Sequence, residues 1–159
     1  MRKPLLVLLP LIVLTSMGCS SQQSLTQGPV GTATPDPCSS ENLPATLHEI
    51  NDLMREFDDA SQLASNLPLQ QLPEAIPNMQ RIRRASEDLQ IPACLNTLKT
   101  HQLNHMNSMI QTLLAFIGRA DQETINKGLA VAQEEHDRYS LEIVRLLGFT
   151  LAPVKPPAP

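Results

Sequence analysis

Apolar residues recur every three or four positions through most of residues 41–147, and this spacing limits the possible folds more than any other feature of the chain. Such a recurrence places apolar side chains on one face of an α-helix, whereas a half-buried strand needs strict alternation of apolar and polar residues. No stretch of the sequence alternates for long enough to predict a strand. The sequence therefore predicts an all-α domain.

Proline positions set the bounds of the first two predicted helices. The first helix covers about 41–66. Three prolines in residues 67–77 predict a kinked connection, because an interior proline removes a hydrogen bond and clashes with the turn before it. The second helix is therefore expected to be short, at about 77–90.

Cap residues set the bounds of the other two helices. Pro92 begins the third helix at the position that proline tolerates best, and Gly118 is expected to end it as a left-handed cap. Asp121 is expected to cap the fourth helix, which covers about 122–147 and is closed by Gly148. The short link between the third and fourth helices predicts that they run antiparallel.

The four helices are expected to share one apolar core. The simplest architecture is an antiparallel up-down four-helix bundle over residues 38–150, with a short second helix. A domain of this size can be stabilised by a single core. The predicted core residues are Leu43, Leu47, Ile50, Met54, Phe57 and Ala64 of the first helix, Leu95, Leu98, Met106, Met109, Ile110, Leu113 and Ile117 of the third, and Ile125, Leu129, Ala132, His136, Tyr139, Ile143 and Leu147 of the fourth.

The N-terminus has the pattern of an export signal. Two basic residues precede an apolar run over 5–14, which is too short to span a bilayer core of about 30 Å. Gly18 and Cys19 follow this segment and resemble the lipobox of bacterial lipoproteins, in which the cysteine becomes the lipidated first residue after cleavage. The resemblance implies a signal peptide over 1–18 and a membrane anchor on Cys19; a plain cleaved signal is the alternative.

Both ends of the exported chain are expected to lie outside the bundle. Residues 19–37 comprise the lipidated cysteine and a tether rich in Ser, Gln, Thr, Gly and Pro, a composition that predicts disorder. Residues 151–159 form a proline-rich tail, which predicts an extended polyproline II conformation. A solvated terminus is the simpler interpretation of this tail, and a docking ligand is the alternative.

The cysteine count agrees with export. If Cys19 carries lipid, Cys38 and Cys94 remain, an even number in an oxidising compartment. They are expected to form a disulfide, with two buried free thiols as the alternative. The bond suits an up-down bundle, because Cys38 and Cys94 lie near the starts of the first and third helices, which meet at one end of such a bundle.

Composition and motifs argue against two functional classes. Residues 1–18 contain two basic residues and no acidic one, so removing them changes the formal charge from −4 to −6. A chain with this charge and 3% aromatic residues lacks the cations and stacking rings that nucleic-acid binding requires. No glycine-rich phosphate loop, Cys-x-x-Cys, His-Glu-x-x-His or Gly-x-Ser-x-Gly motif occurs, so no enzyme is predicted.

Three histidines form the arrangement that most suggests site chemistry. His101 and His105 lie one turn apart on the third helix, and the antiparallel fourth helix brings His136 level with them. Imidazoles at this spacing, with the thioethers of Met106 and Met109 nearby, predict a site for Cu or Zn. The alternative is a hydrogen-bonded layer in which neighbouring polar residues satisfy His136.

These features together predict a lipid-anchored helical bundle that acts without catalysis as a binding or scaffolding component of the cell envelope. Its expected partners are the membrane, through the lipid, and an envelope protein or ligand that the sequence does not specify. The competing hypotheses are an envelope metal-binding bundle that uses His101, His105 and His136, and a coiled-coil oligomer, which the heptad-like spacing of the first and fourth helices permits.

Overall fold

Four α-helices make up most of the described chain. The computed structural model describes residues 35–149, and no strand occurs within them, so the all-α prediction is confirmed. The predicted signal peptide, Cys19, most of the tether and the tail over 151–159 lie outside the described residues. No helix in residues 35–149 is long and apolar enough to cross a membrane. The helices are α1 (Leu43–Ser65), α2 (Leu72–Asp88), α3 (Asn96–Ile117) and α4 (Gln122–Leu146).

The helices pack as the predicted bundle. α1 packs on α2, α2 on α3, and α3 on α4, with the most extensive contact between α3 and α4. All six apolar residues predicted for the first helix are buried, and Ile50 and Phe57 have no exposed surface. Leu98 and Met106 of α3 belong to the same core. The antiparallel four-helix architecture is therefore confirmed.

The second helix starts earlier than predicted. It begins at Leu72, with Pro73 in its first turn and Pro77 inside the helix. A proline in the first turn loses nothing, because the first N–H groups of a helix have no carbonyl partner, and Pro77 removes a single hydrogen bond. Starting the helix at Leu72 places this residue and Ile76 in the core, and that burial outweighs the lost bond.

The caps of α4 agree with the predictions, whereas both ends of α3 differ from them. Pro92, predicted to begin the third helix, is extended with ψ of 154°, and the 3₁₀ turn Ala93–Leu95 separates it from the α-helix, which begins at Asn96. Asp121 accepts a hydrogen bond from the backbone N–H of Thr124 at 2.9 Å, and Gly148 takes the left-handed conformation with φ of 73°. Gly118 has φ of −72°, so the prediction of a left-handed glycine there was wrong. The left-handed residue is instead Arg119, with φ of 57°. The backbone N–H groups of Arg119 and Ala120 donate to the carbonyls of Phe116 and Ala115, a pattern that puts the left-handed residue one position after Gly118.

α4 contributes less apolar surface to the core than predicted. Ile125, Ala132 and Tyr139 are buried as expected. Leu129 and Leu147 are 44% and 38% exposed, so the predicted stripe was wrong at these two positions. The reason is that α4 packs mainly along α3 and has no comparably extensive contact with α1, which leaves one flank of α4 without a helix beside it.

A disulfide joins Cys38 and Cys94, as the cysteine count predicts. The two Cα atoms are 6.1 Å apart. Cys38 precedes α1, and Cys94 lies in a 3₁₀ turn, Ala93–Leu95, that precedes α3. The bond therefore ties the entry of the bundle to its third helix.

Removing the disulfide by the double substitution Cys38→Ser and Cys94→Ser is expected to lower the free energy of unfolding by about 4 kcal/mol, because the unfolded chain gains the entropy of an open loop. Urea denaturation measures this change. Reducing the wild-type protein should give the same loss, and reducing the double variant should change nothing. An unchanged urea midpoint in the double variant would show that the bond does not stabilise the bundle.

α3 and α4 approach each other closely at Gly128. A Cβ atom built at this position would collide with the Thr112 side chain and would lie 3.1 Å from its Cβ. The Thr112 hydroxyl donates a hydrogen bond to the Ser108 carbonyl at 2.7 Å, so turning this side chain away would break that bond. The missing side chain at Gly128 thus sets the distance between the two helices.

Gly128→Ala is expected to lower the free energy of unfolding by about 1–3 kcal/mol through overpacking, although alanine is the better helix former. Adding Thr112→Ala should recover much of the loss, because it removes the colliding hydroxyl and methyl groups. Gly118→Ala is the matched control, since its Cβ would have no neighbour nearer than 3.4 Å. Thermal and urea unfolding measure all three, and a stabilised Gly128→Ala protein would contradict the close approach.

Candidate functional site

Five polar residues from three helices meet near the middle of the bundle. Asp58 comes from α1, His101 and His105 from α3, and Glu135 and His136 from α4. We call these five residues the histidine layer. The layer connects α4 to both α3 and α1.

His101 binds the carboxylate of Glu135. Its Nδ1 atom donates to Glu135 Oε2 at 2.8 Å, since a carboxylate can only accept. Arg138 donates to the other carboxylate oxygen at 3.0 Å. The hydrogen bond from His101 lowers the pKa of Glu135 below its ordinary value, with smaller contributions in the same direction from Asn104 and Arg138. Glu135 is therefore held as a charged acceptor against α3.

His105 is buried, and its two ring nitrogens lie against different groups. His105 is 4% exposed. The ring of Phe57 packs against the His105 ring in an edge-to-face arrangement, with 5.7 Å between the centroids. Nδ1 lies 2.8 Å from the carbonyl oxygen of Ala132, so this nitrogen carries the hydrogen and donates. Nε2 forms no hydrogen bond. The nearest charged group to Nε2 is the carboxylate of Asp58.

Asp58 lies between the two remaining histidines. One carboxylate oxygen, Oδ1, is 3.3 Å from His105 Nε2, and the other, Oδ2, is 3.4 Å from His136 Nε2. The two imidazole rings are 5.1 Å apart between centroids, at an interplanar angle of 64°. Asp58 and His136 are 39% and 35% exposed, so this part of the layer reaches the surface.

A second polar contact joins α4 to α1. The Tyr139 hydroxyl donates to Asn51 Oδ1 at 2.9 Å. Burial raises the pKa of Tyr139, and the negative charge of Asp58 adds to this effect. The phenol therefore stays protonated and remains a donor across the physiological pH range.

The structure brings together two of the three histidines predicted as metal ligands. His105 and His136 converge on Asp58, whereas His101 is engaged by Glu135. Met106, expected near the site, is fully buried in the apolar core. In residues 35–149, no group of three or more His, Cys, Asp or Glu side chains could hold a metal ion, so the described residues do not form the predicted three-histidine site.

Sequence reasoning missed the two acidic members of the layer. Asp58 follows Phe57 and lies one turn after Met54, so it borders the buried face of α1. Glu135 precedes His136 and lies one turn before Tyr139, next to the stripe of α4. An acidic residue at the edge of an apolar stripe is the signal that could have identified both.

Glu135→Gln is expected to lower the free energy of unfolding by about 1–3 kcal/mol at neutral pH, because it removes the charged acceptor of His101. The folded-state pKa of Glu135 is lowered, so the carboxylate stabilises the protein above the ordinary pKa of 4.5, and this contribution is lost as the pH falls through the folded value. The difference between variant and wild type should therefore shrink below about pH 4.5.

The exposed neighbour Glu134 provides the control for this prediction. Glu134→Gln breaks a surface pair with Arg138, which is expected to change stability by less than about 1 kcal/mol. Urea unfolding at a series of pH values measures both variants. A loss of unfolding free energy in Glu135→Gln that stays constant down to about pH 3 would contradict a role for the Glu135 charge. This pH is roughly one unit below the ordinary pKa of a glutamate.

Comparisons with known proteins identify no relative of this chain. No protein family matches it. No curated protein and no solved structure matches it either. Inferences about its function therefore depend on its own residues.

Proposed function

We propose that this protein is a lipid-anchored lipoprotein of the cell envelope, held on the extracytoplasmic side of a membrane through Cys19. Its bundle acts there as a non-enzymatic binding or scaffolding component. Residues 20–37 would connect the lipidated cysteine to the bundle.

The observation that carries this proposal is the disulfide between Cys38 and Cys94. Disulfides form and persist in exported proteins and are rare in the reducing cytosol. A chain with three cysteines, two of which are paired, leaves Cys19 free for lipid attachment. Export also agrees with the apolar run over 5–14, which precedes Cys19.

A binding role is supported by the distribution of exposed apolar side chains. Of the eight large apolar residues exposed in the described chain, seven lie on α3, on α4 or directly after α4. Exposed apolar surface is often used in contacts with other proteins. The α3–α4 hairpin therefore carries most of the large apolar side chains exposed in the described residues, and we propose it as the part of the bundle that meets an envelope partner. The seven residues are Leu114, Phe116, Leu129, Val131, Leu141, Leu147 and Phe149.

Cys19→Ser is expected to abolish incorporation of radioactive fatty acid and to release the protein from the membrane fraction, because the acyl chains supply the anchor. Metabolic labelling and cell fractionation measure these two effects. The Cys38→Ser and Cys94→Ser double variant should remain labelled and membrane-bound.

A second arm of this experiment tests the binding role. A photo-crosslinking residue at Val131, on the apolar hairpin, should form an adduct with a discrete envelope component in intact cells, and one at Arg55, on the polar face of α1, should not. Unlabelled, freely soluble wild-type protein would overturn the anchor. Equal crosslinking at both positions would overturn the assignment of the binding surface.

A further inference from the structure

We propose that the groove between α2 and α3 binds a phosphate group, carried by a small solute or by a lipid headgroup. The groove has a volume of about 410 Å³. One of the six residues that line it is the buried Ile110. The other five are polar: Gln80, Arg83 and Arg84 from α2, and Asn107 and Gln111 from α3.

The charge of the groove is opposite to that of the whole chain. Acidic residues outnumber basic residues by 16 to 12 over the full sequence. Within the described chain, two guanidinium groups line this groove and no carboxylate does. By contrast, the groove that contains Asp58 is lined by four carboxylates and one guanidinium. The groove between α2 and α3 therefore attracts anions locally, although the protein as a whole is acidic.

The three arginines of α2 differ in how their charges are used. Arg81 forms an ion pair with Glu56 of α1. Arg83 is 24% exposed, and its Nη2 atom lies 3.2 Å from Glu87 Oε2, so its guanidinium is held beside the groove. The side chain of Arg84 forms neither an ion pair nor a hydrogen bond with any residue of 35–149. Its five N–H donors are therefore available to an anion.

Amide side chains add donors on both sides of the groove. In the part of the chain that the structure describes, the side chains of Gln80, Asn107 and Gln111 form no hydrogen bonds. Each amide supplies two N–H donors. Donors on two facing helices approach a ligand from different directions, which suits the several acceptor oxygens of a phosphate. A carboxylate has two oxygens in one plane, and a single arginine can satisfy both. The groove therefore matches a phosphate better than a carboxylate.

Titration of the full-length, disulfide-bonded protein with inorganic phosphate, followed by NMR, tests the site. We expect one phosphate per chain, with shifts of the side-chain resonances of Arg83, Arg84 and Asn107. Binding should weaken as the salt concentration rises, because salt screens charges near the surface. Arg84→Gln, at an exposed position, should weaken phosphate binding by roughly tenfold, because it removes a charge-assisted hydrogen-bonding group.

Arg81→Gln is the matched control. It removes the same charge from the same helix, but from a side chain that is paired with Glu56 outside the groove. Its phosphate affinity should stay close to that of the wild type. Equal weakening in Arg81→Gln and Arg84→Gln would show that phosphate responds only to net charge, and this result would overturn the site. Absence of phosphate binding to the wild type, with no effect of lipid at the groove, would overturn it as well.

Vesicles distinguish a lipid headgroup from a soluble ligand. Protein with Cys19→Ser, which lacks the proposed attachment cysteine, is mixed with phosphatidylcholine vesicles with and without phosphatidylglycerol and separated by flotation. Flotation that requires phosphatidylglycerol, and that is lost in Arg84→Gln but kept in Arg81→Gln, would assign the phosphate to a headgroup. Phosphate binding at the groove without such flotation would assign it to a soluble ligand. Flotation that Arg84→Gln leaves unchanged, together with unshifted groove resonances in the phosphate titration, would contradict both.

Discussion

The bundle depends on polar contacts to hold its fourth helix. α1, α2 and α3 share an apolar core, whereas α4 adds few large apolar side chains to it and leaves Leu129 and Leu147 exposed. In addition to its packing along α3, α4 is connected to α3 through the pair of His101 and Glu135 and to α1 through Asp58. Such contacts are directional, so they fix how α4 lies against both helices.

The polar contacts and the disulfide act at different places in the same bundle. The disulfide joins the entry of the bundle to the start of α3 and so ties the beginnings of α1 and α3 together at one end. The histidine layer acts farther along these helices and engages α4, several of whose large apolar residues are exposed.

Much of the fold could be predicted because it depends on local signals. The bounds of α1 and α4, the Asp121 cap and the disulfide follow from periodicity, cap chemistry and cysteine count. The start of α2 could not be predicted from its prolines, because the burial of Leu72 and Ile76 depends on the neighbouring helices.

The site was only partly predictable for a related reason. Antiparallel pairing of α3 and α4 was enough to bring His136 near His105. The choice of Asp58 as their common neighbour depends on how α1 lies across that pair, and the pairing of His101 with Glu135 depends on rotations about the helix axes.

Native-state hydrogen exchange of α4 amides most directly tests the claim that polar contacts hold this helix. We expect Asp58→Ala to accelerate exchange in α4 by roughly threefold to tenfold, or about 0.6–1.4 kcal/mol, with α2 unchanged and with no effect from the neighbouring Asp59→Ala. Equal acceleration in all helices, or none in α4, would contradict it.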